Sequence, residues 1–194
     1  MADTIKDGQG KGYLAGVNAD NQLVTRSTTL NQRTKSAIDG NYYEATTGLL
    51  TLTDAAETPI LYIKNDETDA DMYFVIDKLF IDIFTSTGGT NGDVTIKYYK
   101  NPEITGGSDA TATCTNFSTS GTASYTLKKS MTTMTGDVWW IGQGTDHSAI
   151  TIEEEKFCIP PGYSFGISIT APTSNSSMPI NVNIGGYRID TKLL

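Results

Sequence analysis

The stretch Asp93-Val-Thr-Ile-Lys-Tyr-Tyr99 decides the fold. Val94, Ile96 and Tyr98 alternate with Thr95, Lys97 and Tyr99, the two-residue period of a strand with one buried face. Phe165-Gly-Ile-Ser-Ile-Thr-Ala-Pro172 and Ile180-Asn-Val-Asn-Ile-Gly-Gly-Tyr-Arg-Ile189 repeat that alternation. Working outward, runs of strand length follow one another: 48–53, 59–64, 72–85, 92–99, 110–117, 124–127, 137–141, 149–157, 164–170 and 180–189. Turn-rich clusters separate them, among them STGGTNGD at 86–93, NPEITGGSD at 101–109 and APTSNSSMP at 171–179. Pro160-Pro161-Gly162 cannot lie inside a central strand and marks a tight connection. No stretch predicts a capped helix, and no repeat of fixed period is present. Eight to ten strands at this spacing predict an all-β fold, a two-sheet antiparallel sandwich of jelly-roll type.

The first 40 residues differ from the rest. They are polar and hold only two short apolar clusters, Tyr13, Leu14 and Val17, then Leu23 and Val24, too little for a core. They read as an extended N-terminal arm over 1–40, preceding a sandwich domain over 41–194. Its two short strands, GYLAGVN and QLVTRS, pair as a hairpin or lie on another subunit. The alternative is a loose tail.

The 194 residues suffice for one core without metals or disulfides. With 14 basic and 22 acidic residues the net charge is −8, which speaks against direct contact with nucleic acid or anionic lipid. Residues 1–38 carry five basic and three acidic side chains, a net of +2, so the remainder holds −10. A basic arm is thus drawn to the acidic body of a neighbour. Nothing at the N-terminus has the apolar stretch of a secretory signal, and no window has the roughly 18 apolar residues of a membrane span. These features predict a chain made in the cytoplasm, with Cys114 and Cys158 unpaired.

Catalytic and metal chemistry find little support. The single histidine, His147, sits in a polar Gly-rich segment, where an exposed loop residue is the plain reading. Asn65, Glu67, Asp69 and Asp71 alternate, but the glycine and glutamate that close an EF-hand loop are missing. A solvated acidic turn is the main reading there and calcium the lesser one. Glu153, Glu154 and Glu155 read as like charges on an exposed or edge strand. Gln9-Gly-Lys-Gly12 lacks the strand, the Lys-Ser/Thr pair and the helix of a phosphate loop. No catalytic residue, metal ligand or cofactor site is expected. Trp139 and Trp140 carry more information, because neighbours on a regular strand face opposite sides. One is expected in the core and the other exposed, or covered by another subunit, the arm or a sugar, with a subunit favoured over a sugar.

Taken together, GYLAGVNADNQLVTRS (12–27), GLLTLTDAAETPILYIKND (48–66), IPPGYSFGISITAP (159–172) and INVNIGGYRID (180–190) resemble the organisation of tailed-bacteriophage virion structural proteins. In those proteins an arm precedes a jelly-roll-like body that decorates or cements the head, or forms vertex or tail appendages. The resemblance implies a capsid decoration protein on the virion surface, self-associating as a trimer and contacting the major capsid protein or other virion proteins. The expected contact residues are Tyr13, Leu14, Val17, Leu23, Val24, Trp139 and Trp140. A vertex or tail fibre adaptor and a carbohydrate-binding sandwich module are the competing expectations.

Overall fold

The computed structural model describes residues 16–17, 23–24, 32–52, 56–85, 92–115, 124–145, 148–172 and 177–193. The chain divides into two units, 1–31 and 32–194. In the first, β1 (Gly16–Val17) and β2 (Leu23–Val24) pair antiparallel, Val17 opposite Leu23. This is the hairpin form of the two short strands read from the sequence.

The second unit is the sandwich. It begins with a helix, α1 (Gln32–Ile38), followed by β3 (Tyr42–Thr46), β4 (Leu50–Leu52), β5 (Glu57–Asn65), β6 (Met72–Ile83) and β7 (Asp93–Thr105). Then come β8 (Ser108–Asp109), β9 (Ala112–Cys114), β10 (Tyr125–Lys129), β11 (Thr133–Thr145), β12 (Ala149–Ile159), β13 (Ser164–Thr170) and β14 (Met178–Asp190). One sheet runs β11-β7-β13-β5-β10-β8, the other β12-β6-β14-β3-β9 with β4 also on β14, and every pairing is antiparallel. Setting aside β4 and the short β8 to β10 excursion, the strands alternate between sheets in chain order, except that β7 is followed by β11 in its own sheet. That winding gives β3-β14-β6-β12 against β5-β13-β7-β11, the order of a jelly roll.

Between the sheets lies one continuous core of Ile, Leu, Val and aromatic side chains. Ile60, Leu79, Ile81, Val94, Ile96, Ile167, Ile169, Ile180 and Val182 are almost wholly buried in it. Each such side chain is worth about 1.5–3 kcal/mol relative to exposure. The alternation of Val94, Ile96 and Tyr98 is the inward face of β7, as its period requires.

Two features depart from the sequence reading. Residues 32–38, assigned to the arm, are helical and belong to the sandwich unit. The helix ends in a Schellman motif: Asn41 N–H donates to Ser36 O (2.7 Å), Gly40 N–H to Ala37 O (3.2 Å), and Gly40 takes φ +74°. Its Ala37 packs on a small outer cluster of Tyr42, Val75 and Tyr187. The segment 101–105, read as a turn, continues β7 through Pro102. Gly136 on β11 makes room with a bulge, since pairing jumps from Lys100–Asp137 to Glu103–Thr135.

Candidate functional site

The paired tryptophans do not divide between core and solvent. Trp139 is 56% and Trp140 46% exposed, and both rings touch core aromatics. The cause is a second bulge. Val138 pairs with Tyr99 and Trp140 with Tyr98, which leaves Trp139 as the extra residue. A bulge interrupts strict alternation and re-aims side chains. Trp140 stacks on Tyr98 (centroids 4.8 Å, 21°), while Trp139 meets Phe157 of β12 nearly perpendicular (5.2 Å, 84°). Tyr98, Phe157 and Phe165 are themselves in ring contact, so the pair caps an aromatic cluster joining the edge strands β11 and β12.

On β11 the exposed apolar run continues to both sides, with Val138 41% and Ile141 57% exposed. Thirteen residues long, β11 pairs among the described residues with β7 along one side only and carries a single charged residue, Asp137. Natural sandwiches usually blunt such an edge with charge, proline or a covering segment. Val138-Trp-Trp-Ile141 was legible as an unbroken apolar run amid polar neighbours, a departure from alternation that marks an irregular strand.

Beside Trp139 opens a groove of about 530 Å³, with Lys100, Asn101, Tyr163 and Ser164 in its lining. Tyr163 ends the turn that Pro160-Pro161-Gly162 was expected to form. Its N–H donates to Pro160 O (3.1 Å), its carbonyl accepts from Asn65 N–H (3.0 Å), and Gly162 takes φ +80°. That is the left-handed third position of a type II turn with proline second.

The acidic segment after β5 is organised by the chain itself. Buried Asn65 donates to the Met72 and Ile159 carbonyls, both at 2.9 Å, and accepts from Glu67 N–H. Lys64 pairs with Asp66, Arg188 with Glu67, and Lys192 with Asp69 and Asp71. The Asp71 N–H and the Lys192 ammonium hold the Asp69 carboxyl below the ordinary carboxylate range. These carboxylates are thus occupied by the chain's own cations.

Of the other residues singled out by the sequence, Tyr13, Leu14 and His147 lie outside the described residues. Val17, Leu23 and Val24 lie on the β1–β2 hairpin. Glu153, Glu154 and Glu155 lie on β12, an edge strand as expected. The Cys114 thiol donates to the Gly40 carbonyl oxygen at 3.4 Å, and Cys158 is exposed on β12. The structure therefore brings Trp139 and Trp140 together with Tyr98, Phe157 and Phe165, and places the hairpin residues in a separate unit. No protein-family model matches the chain, and no curated protein matches its sequence.

Proposed function

We propose that this chain is a structural protein that works by self-association, decorating a phage capsid as the resemblance implies. The observation that carries the reading is the β11 edge, long, nearly uncharged and lined by exposed Val138, Trp139, Trp140 and Ile141. In a chain of net charge −8, this edge is a place where two acidic bodies approach with little repulsion. Strand addition there supplies main-chain hydrogen bonds, and the side chains of Val138, Trp140 and Ile141 supply buried area. The β1–β2 hairpin, with its apolar Val17, Leu23 and Val24, adds a second contact, and closed symmetry about a threefold axis multiplies both.

Sedimentation of the full chain tests this. The wild type is expected as a trimer at micromolar concentration, and Trp140→Lys/Ile141→Lys as a folded monomer. A wild type that stays monomeric at 100-fold higher concentration overturns the reading. In purified particles, hundreds of copies per head support the decoration role, and a few to dozens a vertex or tail role.

A further inference from the structure

We propose that the groove between Trp139 and Tyr163 binds an acidic saccharide, a chain of pyranose rings carrying carboxylates. This goes beyond the assembly role and does not depend on it. A pyranose presents a flat C–H face ringed by hydroxyls, so a site for it needs fixed aromatic planes and polar groups at their rims. The groove, of about 530 Å³, falls in the roughly 300–1,000 Å³ range of small-ligand clefts.

Both aromatic platforms are exposed yet held. Trp139 is braced by the buried Phe157 ring, nearly perpendicular to it and 5.2 Å away. Tyr163 is 51% exposed, but its backbone is fixed by the bonds to Pro160 and Asn65 and by the rigid Pro-Pro-Gly turn. A platform fixed before binding loses little conformational freedom on binding.

The polar rim is set in the same way. Asn101 has φ +49°, left-handed for a residue with a side chain, and its Oδ1 accepts the Ser164 N–H at 2.8 Å. That bond ties β7 to the start of β13, and both residues line the groove. Charge then selects the ligand class. In a chain of net charge −8, the charged side chain among the described residues lining this groove is a cation, Lys100. A carboxylate on the sugar meets Lys100 while the ring stacks on the aromatic faces. A neutral sugar leaves Lys100 unused, and an acidic peptide offers no ring face to either platform.

The test is titration of the full-length chain with hexamers of galacturonate, mannuronate and α2,8-linked sialic acid, with maltohexaose as the neutral control. Tryptophan fluorescence and calorimetry provide the readouts, and molecular mass is followed in parallel. At least one acidic hexamer is expected to bind at sub-millimolar Kd, weakening as salt rises. Tyr163→Ala, which lies off β11, is expected to weaken it tenfold or more with the mass unchanged. Lys100→Gln is expected to remove the preference over maltohexaose. Silence of all three acidic hexamers at 10 mM, equal binding of maltohexaose, or full binding by Tyr163→Ala each overturns the proposal. A trimer that fails to bind sugar removes this site and leaves the assembly role standing.

Discussion

The guanidinium of Arg33, on α1, donates from Nη2 to Oδ1 of the buried Asp77 on β6 at 2.7 Å, and its Nε faces Oδ2. The Tyr42 hydroxyl donates to that second oxygen at 2.8 Å. Asp77 is left out of register in β6, since Ile76 pairs with Gly186 and Lys78 with Gly185. A bulge thus places a carboxylate under the helix, and the helix arrives with the matching cation. Charged hydrogen bonds of this kind contribute about 1.5–3 kcal/mol. Arg33 is half exposed, which screens its outer side and favours the lower part of that range. Arg33→Ala is therefore expected to cost about 1.5–2 kcal/mol in urea unfolding. Adding Asp77→Ala is expected to show strong coupling in a double-mutant cycle, whereas additivity would mean that the helix is not held through this pair.

A second network stitches the outer face of the other sheet. Glu57 accepts from Lys97, Ser168 and Tyr99, joining β5, β7 and β13. Burial pushes its carboxyl up, but the three donors outweigh it and hold it below the ordinary carboxylate range. A depressed folded value means that stability is present above the unfolded value, near 4.3, and is lost as pH falls through the folded one. Wild type is accordingly expected to be more stable than Glu57→Gln at pH 7. Urea midpoints compared from pH 7 down to pH 3 should show the gap closing below about pH 4.3. A gap that persists at pH 3 would assign the effect of Glu57 to packing.

Much of this architecture was legible in the sequence, and the exceptions share a cause. The inward faces of β7, β13 and β14 follow from period-two alternation, which burial on one face enforces whatever the topology. Bulges defeat that rule. Pro102 read as a breaker because its tolerance depends on Gly136, a residue 34 positions away that relaxes the opposing strand. Trp139 and Trp140 were assigned to opposite faces for the same reason. α1 is short and its stability comes from Asp77, which no local pattern announces, although the Asp-Gly-Asn at 39–41 carried the mark of a helix stop. In the groove, Tyr163 could have been picked out from Pro-Pro-Gly-Tyr. Lys100 and Asn101 join it only through the pairing of β7 with β13.

The glycines of β14 and β11 predict opposite signs for one substitution. A Cβ on Gly186 would lie 2.5 Å from the Val75 carbonyl oxygen and 2.6 Å from the Phe74 ring, in a bulge whose backbone cannot withdraw. Gly186→Ala is expected to destabilise by about 1–3 kcal/mol. A Cβ on Gly142 meets only the Tyr98 ring at 3.6 Å, an ordinary contact. There alanine restricts the unfolded chain without strain, and Gly142→Ala is expected to stabilise by about 0.4–1 kcal/mol. Chemical unfolding of the two variants checks both signs.

Buried phenols predict an alkaline limit. Burial pushes the Tyr98 hydroxyl up to about 12, and burial also raises Tyr125. Tyr42 is raised by burial and by its bond to Asp77, and Tyr99 by burial and its bond to Glu57. In the unfolded chain all four ionise near 10. A raised folded value means stability that is whole below pH 10 and lost as pH rises through the folded values, because the unfolded state releases its protons first. Tyr42, Tyr98, Tyr99 and Tyr125 are therefore expected to resist ionisation near pH 10–11, seen as a shortfall in phenolate absorbance at 295 nm. They should then ionise together as the sandwich opens, with the loss of near-ultraviolet circular dichroism coinciding with the delayed absorbance. Tyr98→Phe removes one delayed phenol from a site where burial alone causes the shift, so it should shrink the late step. A single smooth titration of all ten near pH 10, with dichroism intact, would mean that these hydroxyls reach water in the folded protein.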